Sequence, residues 1–91
     1  MRSKSTAKQR ELRTRRRLAE QLAEQRGPWC QAGTDRCAGR AVDMHEIRRR
    51  SQGGDPTDPA NVLLVCRACH DWIGAHPAAA VDRGLAAWGW M

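Results

Sequence analysis

A pair of cysteines separated by two residues, Cys66 and Cys69, most restricts how this chain can fold. A gap of this length lets the backbone turn around one metal ion so that both thiolates bind it. Cys30 and Cys37 form a looser pair, and together the two pairs provide the four thiolates of a closed structural zinc site. Because protein would fill every coordination position, we expect this site to stabilise the fold and not to be catalytic.

The size of the chain makes such a site important. Its 91 residues include no tyrosine and no phenylalanine, so a core must be built from aliphatic side chains and four tryptophans. Small domains bury little apolar surface, and a structural zinc ion adds about 10–16 kcal/mol of apparent binding free energy that becomes folding free energy. We therefore predict reduced cysteines that bind Zn²⁺, with free thiols and disulfides as the alternatives.

The chain shows no sign of secretion or membrane insertion. Its first ten residues contain no apolar segment of the kind found in signal peptides, and no stretch approaches about eighteen consecutive apolar residues. We therefore expect a cytoplasmic protein without a membrane partner.

The positive charge is concentrated at the N-terminus. Residues 1–26 contain nine lysines and arginines and three acidic residues, whereas the rest of the chain balances seven arginines with seven acidic residues. All of the net charge of +6 therefore lies in this segment, which is typical of an arm that binds phosphates, with a solvated tail as the alternative. The residues predicted to contact nucleic acid are Arg13, Arg15, Arg16, Arg17, Arg48, Arg49 and Arg50.

Local sequence patterns predict an α+β domain. The predicted elements are a helix at about 5–26, strands at 41–47 and 60–65, and helices at 71–75 and 77–83. Leu18 and Leu22, four residues apart, are expected to dock the first helix, which Gly27 and Pro28 end. The predicted division is a basic N-terminal helix or arm at 1–27, a central domain at 28–77, and a short helix and tryptophan-containing tail at 78–91.

Two tryptophans lie close together in that tail. We expect Trp88 and Trp90 to cover an otherwise exposed face of the small core, because their large rings bury much apolar area. Stacking on nucleic-acid bases is the alternative.

A second group of polar residues surrounds the tight cysteine pair. Along the chain come the segment Asp43–Ile47, the glycines Gly53 and Gly54, then Asn61, then the segment Cys66–His70. Over about residues 29–77 this order resembles the HNH nucleases of the ββα-metal, or His-Me finger, superfamily, in its small phage-type branch. The resemblance implies a ββα-metal finger and a metal-dependent phosphodiesterase that nicks or cuts DNA.

The resemblance also implies a role for individual residues. His45 falls on a metal-ligand position, Asn61 on the asparagine that holds the general base in place, and His70 on the metal ligand of the helix. Glu46 falls where the family carries its general-base histidine, which is a departure from the pattern. Asp43 is a further ligand candidate for the catalytic divalent ion, which would be Mg²⁺, Mn²⁺, Ni²⁺ or Zn²⁺.

The identity of the base stays open at this point. Phosphodiester hydrolysis needs a water deprotonated near neutral pH, and an imidazole with a pKa of about 6.5 suits this task better than a free glutamate at about 4.3. Either Glu46 is the base, or His45 is the base with Asp43 beside it on one strand face, or the site binds metal without efficient turnover.

The sequence thus predicts a zinc-stabilised HNH endonuclease that acts on double-stranded DNA and is encoded by a phage or prophage. The main alternative is a non-catalytic, zinc-bound accessory module with the same fold, which binds DNA or phage packaging proteins. A third hypothesis is an RNA-binding zinc knuckle, but the four tryptophans are not interleaved with the basic residues.

Overall fold

The computed structural model describes residues 2–90, and side chains from residue 6 to residue 90. Its elements are α1 (Arg2–Arg26), β1 (Asp43–Glu46), 3-10 turns at Arg50–Gln52 and Pro59–Asn61, β2 (Val62–Val65), α2 (Arg67–Ala75) and α3 (Pro77–Asp82). The strands form a two-stranded antiparallel sheet in which His45 lies opposite Leu63. The predicted α+β class is confirmed.

One face of the hairpin packs against α1. Val62 and Leu64 alternate to this face of β2 and form a buried cluster with Leu18 and Leu22 of the helix. Leu22 is only 1% exposed, so two apolar side chains one helical turn apart are enough to dock a helix whose other surfaces are charged. The predicted docking of the second half of this helix is confirmed.

The other face of the hairpin is covered by α2 and α3. Leu63 packs against a buried cluster that contains Ile73 of α2 and Ala80 of α3. Cys66 is the N-cap of α2, and its Sγ atom accepts the backbone N–H of Cys69 at 3.3 Å. Because this cap precedes the cysteine turn, α2 begins at Arg67 and not at the predicted residue 71.

Two glycines close the loop that follows β1. Gly53 has a φ of 85°, in the left-handed region that favours glycine. Gly54 is required by space, because a Cβ atom at this position would lie 1.8 Å from the carbonyl oxygen of Arg48. The glycine pair therefore lets the loop return to the end of β1.

The C-terminal tryptophans differ from each other. Trp88 is half-buried and lines a cleft, whereas Trp90 is 82% exposed. The predicted covering role is therefore wrong for Trp90, because the tail has already left the core at that residue. None of the helices in the described part of the chain is long and apolar enough to cross a membrane.

Candidate metal centre and adjoining cleft

The four cysteines converge on one point. Cys30 and Cys37 lie in the loop between α1 and β1, and Cys66 and Cys69 lie at the start of α2. Their sulfur atoms are all within 4.8 Å of one another, close enough to hold one metal ion. All four are thiols and not disulfides, so the predicted clustering of reduced cysteines is confirmed.

Hydrogen-bond donors point at the sulfur atoms of this cluster. The backbone N–H groups of Ala38 and Cys69 each donate to Cys66 Sγ at 3.3 Å. The hydroxyl oxygen of Thr34 lies 3.0 Å from Cys69 Sγ. N–H donors of this kind stabilise a thiolate, which is the form in which cysteine binds metal.

These contacts distribute the charge unevenly within the cluster. Burial alone would raise the pKa of the Cys30 thiol. Hydrogen bonds from backbone N–H groups, the largest from Cys66, outweigh this effect and lower the pKa to about 6. The backbone N–H of Ala38 is the largest cause of a lowered pKa at Cys66. Burial raises the pKa of Cys69 to about 11. Negative charge is therefore held first by Cys30 and Cys66.

Three of the polar residues singled out by the sequence meet on the α2 face of the hairpin. Asp43 and His45 are two residues apart on β1 and share this face, and His70 lies in the first turn of α2. His70 Nδ1 lies 3.6 Å from Asp43 Oδ2, and the ring centroids of His45 and His70 are 5.4 Å apart with an edge-to-face arrangement. Among the described side chains, however, only the cysteines form a group of three or more ligands within reach of one ion.

The carboxylate of Asp43 is incompletely satisfied. Its Oδ1 atom accepts a hydrogen bond from Arg67 at 3.1 Å. Its Oδ2 atom is buried and accepts no hydrogen bond from any residue that the structure describes, although it faces His70 Nδ1. A buried carboxylate oxygen without a donor is costly, so a cation between Asp43 and His70 would be stabilised there.

His45 is buried and held by a backbone carbonyl. Its Nε2 atom lies 2.6 Å from the carbonyl oxygen of Leu85. Because that oxygen can only accept, Nε2 carries the proton and Nδ1 is the basic nitrogen of the neutral ring. Burial lowers the pKa of His45, and the charge of His70 adds to this effect, although the Leu85 carbonyl and Glu46 oppose it. The imidazole is therefore neutral near pH 7.

Glu46, the last residue of β1, contacts α1. Alternation along β1 directs it to the α1 face, where its Oε2 atom lies 3.6 Å from a terminal nitrogen of Arg15. Sequence reasoning singled out both residues for separate roles but missed their contact, because nothing in a linear sequence shows which strand residue a distant helix will meet.

Asn61 holds the loop that follows β1. Its Oδ1 atom accepts the backbone N–H of Arg48 at 2.8 Å. Its Nδ2 atom donates to the carbonyl oxygens of Arg48 at 2.9 Å and Asp55 at 3.0 Å. Asn61 thus fixes the backbone just beyond the strand end that carries His45.

A cleft of about 540 Å³ opens beside these residues. Its polar lining includes Arg15, His45, Glu46, Arg49 and His70. The cleft therefore combines two imidazole rings with two guanidinium groups, which can bind an anion and accept a proton next to it.

No protein-family model, curated protein or solved structure matches this chain. What the cleft can do therefore follows from the chemistry of its own residues.

Of the other predicted phosphate-binding residues, Arg49 also lines this cleft. Arg13, Arg16, Arg17, Arg49 and Arg50 are exposed, and Arg48 is half-buried. Arg50 pairs with Glu11 and so joins the loop after β1 to α1.

Sequence reasoning also missed the carbonyl of Leu85, because a backbone group has no signature in the sequence.

Proposed function

We propose that this protein is a metal-dependent HNH-type endonuclease that hydrolyses phosphodiester bonds of double-stranded DNA. The observation that carries the proposal is the meeting of Asp43, His45 and His70 on one face of the hairpin, where His45 and His70 line a cleft that also contains arginines. In this proposal β1, β2 and α2 form a ββα-metal finger, and the finger binds the DNA backbone at the cleft.

The cysteine cluster would hold a structural Zn²⁺ ion. Four sulfur donors that lie close together and receive N–H hydrogen bonds fit the tetrahedral thiolate sites that zinc prefers. All four positions would be filled by Cys30, Cys37, Cys66 and Cys69, which leaves the chemistry to the cleft.

Asp43 and His70 would hold the catalytic divalent ion, which is Mg²⁺, Mn²⁺, Ni²⁺ or Zn²⁺. The buried Oδ2 atom of Asp43, which faces His70 Nδ1 and lacks a hydrogen-bond donor in the described part of the structure, supports this assignment. When bound, such an ion supplies positive charge for the phosphate oxygens and lowers the pKa of a bound water.

His45 would act as the general base. The carbonyl of Leu85 fixes its ring and leaves Nδ1 to accept the proton of the attacking water. The second of the three assignments left open by the sequence, His45 beside Asp43, is therefore the one that the geometry favours. Asn61 would keep this end of β1 in place through Arg48.

One observation favours a second candidate function. Glu46 stands where the family has its catalytic histidine, and it is paired with Arg15 of α1. A non-catalytic DNA-binding or phage packaging accessory module would have this arrangement, and its partners would be DNA and packaging proteins.

Nicking of supercoiled plasmid tests the proposal. Wild type, His45→Ala, His70→Ala and Asp43→Asn are compared across the four divalent ions, with folding and zinc content measured for each. His76→Ala is the matched control, since His76 is an exposed histidine at the end of α2. We expect nicking by wild type and the control only. Folded wild type that binds DNA without cutting it under any ion would establish the accessory module instead.

A further inference from the structure

An ion pair at the edge of the cleft takes no part in the proton transfer proposed above. It joins Arg15, in the middle of α1, to Glu46, the last residue of β1, over 3.6 Å. Both side chains are largely buried, with exposed fractions of 29% for Arg15 and 21% for Glu46. Both also line the cleft next to His45.

The guanidinium group of Arg15 has donors to spare. A guanidinium carries five N–H donors in a rigid planar fork. The Nε atom of Arg15 is buried and finds no hydrogen-bond acceptor in the described part of the chain, and the contact with Glu46 is longer than an ordinary hydrogen bond. Glu46 makes one long contact with this group and the side chain is 29% exposed, so its terminal nitrogens have donors for an additional anionic partner in the cleft.

The helix is fixed so that this side chain stays at the cleft. Glu11 and Arg15 lie one helical turn apart on α1, and Glu11 pairs with Arg50 of the loop after β1. Two ion pairs therefore join the same stretch of α1 to the hairpin and its loop. The helix supplies the acid in one pair and the base in the other. Arg13, Arg16 and Arg17 are exposed on other sides of α1. These three arginines attract DNA only through their charge, whereas Glu46 holds the side chain of Arg15 at the cleft.

We propose that Arg15 binds a backbone phosphate of DNA in the cleft and that Glu46 is the positioning residue that holds Arg15 there. This inference rests on the proposed function for the identity of the anion, a phosphodiester of double-stranded DNA. Arginine suits the role because its fork can donate two parallel hydrogen bonds to phosphate while it keeps a carboxylate neighbour. Glu46 then acts through Arg15, and it does not deprotonate water.

A comparison of two neutral substitutions separates positioning from charge. Glu46→Gln and Glu46→Ala remove the same charge, but only glutamine can still accept a hydrogen bond from Arg15. Each is made in the wild-type background and in an Arg15→Ala background. The dissociation constant for a short fluorescent DNA duplex is measured over a series of salt concentrations without added divalent ion, and plasmid nicking is measured separately with it.

If Arg15 binds phosphate, Arg15→Ala raises the dissociation constant about tenfold and reduces the salt slope by about 0.9. Arg36→Ala, which removes an exposed arginine of the cysteine loop, is the matched control and changes binding less than about twofold. Glu46→Gln binds about fivefold more tightly than Glu46→Ala when Arg15 is present, and the two bind equally when it is absent.

Several outcomes would overturn the inference. One is equal binding by Arg15→Ala and Arg36→Ala; another is a difference between Glu46→Gln and Glu46→Ala that persists without Arg15. Loss of nicking in both Glu46 variants, whatever stands at position 15, would instead make Glu46 the base. If Arg15→Ala does not fold, Arg15→Lys replaces it, because lysine keeps the charge and loses the fork. Wild-type affinity in Arg15→Lys would then overturn the inference.

The outcome for the enzyme is distinguishable from the outcome for Arg15. If the variants show the expected effects of Arg15 on DNA binding but wild type never nicks DNA, the nuclease proposal is rejected and the inference about Arg15 stands. If wild type nicks DNA but Arg15→Ala binds DNA as well as Arg36→Ala does, the nuclease proposal stands and the inference about Arg15 is rejected. A wild type that binds no DNA would overturn both.

Discussion

His70 Nδ1 lies 3.6 Å from Asp43 Oδ2, which joins the first turn of α2 to the first residue of β1. His70 directly follows Cys69 in the chain, so the residue that contacts Asp43 is attached to the cysteine cluster. The cysteine cluster and the cleft are therefore coupled: whatever holds the start of α2 in place also sets the position of His70.

Removal of zinc is expected to unfold the protein. Structural zinc supplies about 10–16 kcal/mol of apparent free energy, which is comparable to or greater than the whole stability of a typical domain, about 5–15 kcal/mol. Cys66→Ser or a strong chelator should abolish cooperative thermal unfolding measured by circular dichroism. Elemental analysis of the untreated protein should give one zinc per chain. An unchanged unfolding midpoint after complete removal of metal would contradict a structural role.

Gly54→Ala should destabilise the fold by about 2–4 kcal/mol, because the new Cβ would clash with the backbone oxygen of Arg48 and displace the loop. Gly74→Ala is the matched control: apart from neighbouring residues and the backbone of α2 itself, no atom lies within 4 Å of a Cβ at that position. There alanine should stabilise by up to about 1 kcal/mol. Chemical denaturation of both variants measures the difference, and equal effects would refute the close-approach explanation.

Asn61→Ala should lower the free energy of unfolding by about 2–3 kcal/mol, because three hydrogen bonds to backbone groups of Arg48 and Asp55 are lost. Asn61→Asp keeps the acceptor for the Arg48 N–H and loses the two donations, so it should also be destabilised. Urea unfolding measures both variants. If Asn61→Ala is as stable as wild type, the loop does not depend on the hydrogen bonds of Asn61.

The buried His45 should make stability depend on pH. Burial lowers the pKa of His45 below its ordinary value of 6.5 in the folded protein. As the pH falls, the unfolded chain therefore binds a proton at His45 before the folded protein does. The stability that the neutral ring contributes is complete above pH 6.5, and it decreases as the pH falls from 6.5 toward the pKa of the folded state. His45→Gln should remove this component, so its stability should fall less than that of wild type between pH 7 and pH 5.

His76→Gln controls for the loss of an exposed histidine. It should keep the wild-type pH dependence of unfolding. Parallel pH profiles for wild type and His45→Gln would show that burial of His45 does not govern acid stability.

The sequence by itself determined the pairing of Cys66 with Cys69 and the order of elements. Two residues between Cys66 and Cys69 suffice to bring their thiolates together, whatever the rest of the chain does. Alternation places Asp43 and His45 on one face of β1, and His70 follows the cysteines into α2. These features depend on backbone periodicity and on short separations, which can be read along the chain.

Only the tertiary structure decided what each polar residue of the cleft touches. The Leu85 carbonyl that orients His45 and the Arg15 side chain that meets Glu46 both come from segments distant in sequence. Their contacts depend on how α1 and the tail after α3 pack on the two faces of the hairpin. Packing of that kind is fixed by buried apolar side chains such as Leu22, and not by the polar residues that it brings together.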